Sequence, residues 1–347
     1  MASVFWNCIR LKQMRRAGNL IAQVADYDNI ALAFTRAARG KWNRPDVQAF
    51  LRTSDYEIRL LRDHLLRGAL PPGNYRFFEI KDPKPRVISV APFRHRVLHH
   101  ALMNVCGPYF DRAAYFHSYA CRKGKGSLAA LQFLRSQMSA NGWYLKMDVR
   151  KYFDSVDHAI LLDHCNRLFK DRQVLALIAS ILGSYEVSPG KGLPIGNLSS
   201  QYFANHYLSP LDRYIKENIR ARYLVRYMDD LLIWNSTRET LKESRQRIEE
   251  YAQEKLGLSF KLSQVNRQNV GIPFLGYRVF REGMRLNPNS RRRLWARWKK
   301  YDELMGNSLI TQAKYAAGMR ALLSFAEHAD VRGLKKKYLL VNGFVSE

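Results

Sequence analysis

The chain has 347 residues, a formal net charge of +27 at pH 7 and 12% aromatic residues, with a pI of about 10.1. That charge exceeds what solubility needs and points to a polyanionic partner, nucleic acid ahead of a membrane surface. No apolar run reaches the ~18 residues of a membrane helix, no signal-peptide pattern opens the chain, and Cys8, Cys106, Cys121 and Cys165 form no CxxC pair for zinc.

In chain order, Asp28 to Arg39 reads as a short helix stopped by Gly40. Pro45 to Leu66 reads as one helix, with Val47, Phe50, Leu51, Ile58, Leu61 and Leu65 near helical spacing. Tyr75–Ile80 and Arg86–Val90 read as a hairpin that gathers Lys81, Lys84 and Arg86 at its loop. These cations form either a solvated turn or a triphosphate clamp, Lys as a point charge and Arg as a planar fork. Phe93 to Phe110 reads as a buried helix. Its His95, His99 and His100 lack a carboxylate or Cys at ligand spacing. In Ser118–Gly126 the glycines permit close approach of a ligand, and Arg122, Lys123 and Lys125 supply charge. Ser127 is a candidate cap for a helix from Leu128 to Met138 whose N-terminus suits phosphate.

Trp143–Val149 reads as a strand with Asp148 near its end. Asp154 and Asp157 follow as candidate caps for a helix from His158. A helix over Val174–Leu182 and a loop over Gly190–Gly196 precede a long helix, capped by Asn197 or Ser199 and running to about Asn218. Then Arg220–Arg226 and Leu231–Trp234 read as strands flanking Tyr227-Met-Asp-Asp230, which sets Asp229 and Asp230 at a hairpin tip. Two adjacent carboxylates there suit a hard divalent cation, Mg²⁺ or Mn²⁺; a plain polar turn is the alternative. Asp148, on a different strand, supplies the third carboxylate that two ions about 3.5–4 Å apart require. A charged helix over Glu239–Leu256 and a strand over Pro273–Phe280 come next. From Ser290 helices dominate, and Trp295 and Trp298 interleave with Arg291, Arg292, Arg293, Arg297, Lys299 and Lys300, a pattern suited to gripping a nucleic-acid backbone.

The order Asp148, then Tyr227-Met-Asp-Asp230, resembles a reverse transcriptase. Lys84-Pro-Arg86 resembles the fingers motif, Leu145–Phe153 the first palm motif, and Phe274-Leu-Gly-Tyr277 the primer grip. The family's QGxxxSP signature is altered here to Ile195-Gly-Asn-Leu-Ser-Ser-Gln201. With Phe203-Ala-Asn205, Pro210-Leu-Asp212, Ser118–Gly126 and Ala326–Asp330, that stretch is similar to reverse transcriptases of diversity-generating retroelements.

The resemblance implies an α+β right-hand polymerase with fingers, a ferredoxin-like palm (antiparallel sheet plus helices) and a helical thumb. The expected division is an N-terminal helical extension over 1–70, fingers over 71–140 with part of 165–195, palm over 141–284 and thumb over 285–347. It implies RNA-directed DNA polymerisation that copies a template-repeat RNA into adenine-mutagenised cDNA with two Mg²⁺, or Mn²⁺. Asp148 and Asp229 would hold the ions with the backbone carbonyl of Met147 or Val149, while Asp230 would add charge and secondary coordination to them. Lys84, Arg86, Phe153 as steric gate, Ile195, Gly196, Gln201 and Tyr227 would contact the nucleotide. Arg122, Lys123, Lys125, Phe274, Leu275, Gly276, Tyr277, Arg291, Arg292, Arg293, Arg297 and Lys299 would contact nucleic acid. The family's general-acid lysine falls on Gln264, with Lys261 and Arg267 nearby. The expected partners are template RNA, primer or cDNA, deoxynucleoside triphosphates and a small helical oligomeric accessory protein, in the cytoplasm of a bacterial or phage-infected cell and away from membranes. A reverse transcriptase-like polymerase of phage defence, one that can work without a template, and a catalytically silent RNA-binding scaffold are the rival readings.

Overall fold

The computed structural model describes residues 15–81, 85–140, 142–235 and 237–330. The N-terminal part is helical: α1 (Ile21–Val24), α2 (Tyr27–Ala38), α3 (Pro45–Arg52) and α4 (Ser54–Leu66). Next come the hairpin β1 (Arg76–Ile80) and β2 (Arg86–Val90), then α5 (Phe93–Ala113) and α6 (Ser127–Ser136). Strand β3 (Trp143–Asp148) leads into α7 (Tyr152–Ser155), α8 (His158–Leu168), α9 (Arg172–Gly183), α10 (Leu198–Tyr207) and α11 (Ser209–Glu217). The remainder is β4 (Tyr223–Tyr227), β5 (Asp230–Asn235), α12 (Arg238–Leu256), β6 (Gln264–Arg267), β7 (Ile272–Phe274), β8 (Tyr277–Val279), β9 (Met284–Leu286), α13 (Pro288–Gly306) and α14 (Gln312–Ala326).

These elements form two compact units, each drawn from separated stretches of chain. The first comprises the chain up to Arg122, Asp148–Arg220 and Gln246–Lys261; the second comprises Lys123–Met147, Ala221–Arg245 and the chain from Leu262. In the first unit α5 packs on α2 and α10, burying Val97, Leu98, Ala101, Leu102, Cys106 and Phe110. The Asp171 side chain accepts from the amides of Gln173 and Val174 to cap α9. It also takes the Leu20 and Ile21 amides at 2.7 and 3.0 Å, tying α1 to α9. The second unit holds a four-stranded sheet in the order β4-β5-β3-β6 and a three-stranded sheet β7-β8-β9. Its helices α13 and α14 enclose a small core of Leu294, Trp298, Met319, Leu322 and Ala326. Among the described residues no helix is long and apolar enough to cross a membrane.

Three expected elements divide. The helix over 45–66 breaks at Thr53, because Ser54, Asp55 and Glu57 begin a new helix with two acids in its first turn. The helix after Asn197 breaks at Leu208, since Pro210 fits only the first turn of the next helix. The strand over 273–280 folds back at Leu275 and Gly276, which take positive φ of 49° and 88°. Ser127 does not cap α6; it is the first helical residue after Gly126.

Buried histidines make the first unit acid-sensitive. Burial pushes His206 down to about 4 and His99 down to about 3. The unfolded chain protonates these groups below about 6.5, while the folded chain stays neutral until much lower pH. Stability is therefore full above 6.5 and falls as pH drops towards 4. The urea midpoint should be lower at pH 4.5 than at pH 7.5; equal midpoints would contradict this.

Candidate active site

Strands β4 and β5 form the expected hairpin, with Tyr227 opposite Asp230 and a two-residue turn of Met228 and Asp229. A two-residue turn of this kind needs positive φ at its first central residue, and Met228 supplies it at 56°. That conformation is unfavourable for a side chain larger than glycine. It is held from inside the sheet: Arg226, fully buried, donates from Nη1 to the Met228 carbonyl at 3.0 Å. Arg226 carried no signal in the sequence beyond being a cation within an apolar strand. Asp229 and Asp230 are both half-buried at the hairpin end.

Asp148 is the last residue of β3, the strand beside β5 in the sheet. Side chains two apart share a strand face, so Lys146 and Asp148 are on one side and the buried Leu145 and Met147 on the other. Beyond Asp148 the chain pairs with the segment before β6: Lys261 N donates to the Asp148 carbonyl at 2.8 Å and Arg150 N to the Ser259 carbonyl at 2.8 Å, with Val149 bridged to Phe260. This register brings the Lys261 ammonium onto the Asp148 carboxylate. Gln264 stands opposite Lys146 in the sheet and Arg267 opposite Trp143, with the Arg267 guanidinium 5.0 Å from the Trp143 ring. Of the three general-acid candidates, Lys261 is the one paired with Asp148. Asp230 likewise has an ammonium partner, Lys146 Nζ, at 3.1 Å.

Among the described residues no group of three or more His, Cys, Asp or Glu side chains stands assembled as a metal cage. The donor chemistry nevertheless fits a hard divalent cation. The donors are carboxylates and backbone carbonyls, and Asp148 and Asp230 each have a cation beside them already.

In the first unit four nucleotide candidates, Arg86, Phe153, Ile195 and Gly196, gather around one loop. Ser89 N of β2 donates to the Ile195 carbonyl at 3.0 Å, and Leu193 N to the Phe153 carbonyl at 2.7 Å. Gly196 has φ 122°, and a Cβ there would meet the Ser89 oxygen at 3.2 Å, so the close approach of hairpin and loop requires glycine. Asn197 stands at the N-cap position of α10 without a side-chain capping bond; its Nδ2 donates to the Tyr75 hydroxyl at 2.7 Å. Arg86, Val87, Tyr75, Phe77, Tyr185 and Ile195 line a cavity of about 760 Å³ shared with Asp154. Phe153 is half-buried, Gln201 is half-buried on α10, and Tyr227, in the second unit, is half-buried on β4. Lys84 lies outside the described residues. Asp157 caps α8, accepting from Ala159 N and Ile160 N at 2.9 and 3.1 Å.

The nucleic-acid candidates divide into two groups. Arg291, Arg292, Arg293, Arg297 and Lys299 are exposed on α13 while Leu294 and Trp298 face inward, and Lys123 is exposed on its loop, with Lys125 half-buried. Arg122, by contrast, spends its guanidinium on its own loop: it bonds Asp111 at 2.5 Å and the carbonyls of Tyr115 and Ser118 at 2.7 and 2.8 Å. Phe274 and Tyr277 are buried, and the Tyr277 hydroxyl donates to the Phe325 carbonyl at 2.5 Å. The turn between them, Leu275 and Gly276, is half-buried.

The model of the family Reverse transcriptase (RNA-dependent DNA polymerase) matches residues 80–279, more than half of the chain. The chain belongs to the reverse transcriptase family. Its mixed α/β architecture with antiparallel sheets is the one expected of that family. The Escherichia coli (strain K12) protein YkfC is 24% identical over 318 residues, covering 77% of this chain and 79% of its own length. A putative COX1/OXI3 intron 1 protein of Saccharomyces cerevisiae is 24% identical over 216 residues, 58% of this chain; the chain spans 26% of that protein. A solved structure of apo telomerase from Candida tropicalis, truncated from its C-terminal domain, has a TM-score of 0.47 at 13% identity, covering 62% of this chain and 55% of the other.

Proposed function

We propose that this reverse transcriptase is an RNA-directed DNA polymerase that copies a template RNA into cDNA for a diversity-generating retroelement, with errors concentrated at template adenines. The family match over residues 80–279 carries the polymerase reading. The stretch Ile195-Gly-Asn-Leu-Ser-Ser-Gln201 supports the retroelement reading.

Asp148, Asp229 and the Val149 carbonyl would hold two Mg²⁺, with Asp230 adding charge and secondary coordination. When bound, the ions would lower the pKa of the primer 3′-hydroxyl and neutralise charge on the triphosphate and leaving group. Arg86, with Lys84, clamps the β- and γ-phosphates through a planar fork and a point charge. Phe153 lies beneath the sugar and excludes a 2′-hydroxyl. Lys261 donates a proton from Nζ to the departing pyrophosphate, a step that Gln264 has no ionisable proton to perform. The exposed cations of α13 hold the duplex backbone. A small helical oligomeric accessory protein with acidic patches completes the RNA-bound assembly.

Ile195 links the loop to infidelity. A glutamine there offers a hydrogen bond near the new base pair, and an isoleucine does not. An unpaired buried hydrogen-bonding group costs ~1–3 kcal/mol, about tenfold or more in discrimination. Sequencing cDNA made by the purified protein on RNA, with and without the accessory protein, tests the reading. Substitutions should cluster opposite adenines, and Ile195→Gln should reduce them about tenfold. An error spectrum indifferent to adenine would overturn the retroelement assignment and favour an enzyme of the kind the yeast relative's intron name suggests. An unchanged spectrum in Ile195→Gln would remove Ile195 from the explanation.

A further inference from the structure

Lys146 is not among the residues to which the polymerase reading gives a role, yet it is held at three points. Its Nζ lies 3.1 Å from Asp230 Oδ2, donates to the Pro273 carbonyl at 2.9 Å, and sits 5.9 Å from the centroid of the Phe274 ring. Its side chain is only 23% exposed. These partners come from two elements far apart in sequence, the hairpin carrying Asp229 and Asp230 and the β7-β8 hairpin whose turn is Leu275 and Gly276. An ammonium has three donors and no acceptors, so one group satisfies a carboxylate and a carbonyl together, and the ring face adds attraction to the cation.

We propose that Lys146 is a positioning residue that locks the Asp230 carboxylate to the β7 backbone and so sets the primer 3′ end against the carboxylates. The proposal rests on the polymerase reading of the site. Two consequences follow from the geometry. Asp230 has a fixed cationic partner in Lys146. The turn at Leu275 and Gly276 takes its place relative to the β4-β5 hairpin through a side chain of β3, so losing Lys146 should disturb primer placement more than nucleotide capture.

The test uses the full chain with Lys146→Met, Lys146→Arg, Asp230→Asn and the double variant Lys146→Met/Asp230→Asn. Affinity for a primer–template duplex with a recessed 3′ end is read in EDTA by fluorescence anisotropy, beside affinity for the RNA alone. With Mg²⁺, kcat and nucleotide KM are read on the same duplex. Lys146→Met should weaken duplex binding about tenfold, leave RNA alone within twofold, and lower kcat at least tenfold with nucleotide KM within threefold. Lys146→Arg should recover most of both losses, since a guanidinium can also donate to both oxygens. In the Lys146→Met background, Asp230→Asn should weaken duplex binding in EDTA little further, because the two groups act as a unit in placing the primer. If Lys146→Met alone does not fold, the double variant, which removes the carboxylate's charge together with the ammonium's, should fold and show the same loss of duplex binding. Unchanged duplex affinity, or duplex-binding losses that multiply independently in the double variant, would overturn the proposal while leaving an active wild type in place. A wild type that incorporates no nucleotide would overturn the polymerase reading and this proposal with it.

Discussion

Asp229→Asn should lower nucleotide incorporation by at least about a thousandfold while RNA binding stays within about twofold. The substitution keeps size and hydrogen-bonding atoms but removes the negative charge proposed to hold the metal ions. Metal coordination supplies several kcal/mol of charge stabilisation to a transition state, and each 1.36 kcal/mol is tenfold in rate. The loss should not come from unfolding: Asp229 is a turn residue between β4 and β5, and Asn is at home in turns. RNA binding should survive because the exposed cations of α13 are untouched. Asp148→Ala should have the same effect on incorporation. Single-turnover incorporation and RNA anisotropy on the same preparations check the claim; incorporation within tenfold of wild type would remove Asp229 from the metal set.

Phe153→Val should raise the use of ribonucleotides relative to deoxynucleotides by roughly ten- to a hundredfold. Discrimination by the fit of a small group against an apolar surface is worth about 1–3 kcal/mol, and valine withdraws the ring that the 2′-hydroxyl would strike. The backbone at this position is independently fixed, since the Phe153 carbonyl accepts from Leu193 N at 2.7 Å. The half-buried side chain leaves a smaller gap than a core phenylalanine would. The ratio of kcat/KM for a ribonucleotide and its deoxy counterpart reads the effect. An unchanged ratio would make Phe153 a packing residue.

Much of the local architecture was legible because it is encoded by neighbours in the chain. Apolar and β-branched flanks around Tyr227–Asp230 announced the hairpin, and the cations interleaved with Trp295 and Trp298 announced a charged helical surface. What stayed hidden depends on partners far away in sequence. Lys146 looks like a surface lysine in a strand until Pro273 and Asp230 are placed beside it. Arg226 looks like an ordinary cation until its burial and its bond to the Met228 carbonyl appear. Arg122 was grouped with Lys123 and Lys125 by composition, and the fold of its loop sets it apart. Phe274 and Tyr277 match a family motif, but a tight turn at Leu275 and Gly276 sends both rings inward. Helix breaks at Thr53 and Leu208 were missed because apolar spacing runs on across them.

The most direct measurement is extension of a DNA primer annealed to a defined RNA template, with Mg²⁺ and one deoxynucleotide at a time, using Asp229→Ala as control. The account predicts that at template C, G and U only the complementary nucleotide is added efficiently, that selectivity weakens opposite A, and that the control is silent. Addition of all four nucleotides regardless of the template base, or product from the control, would contradict it.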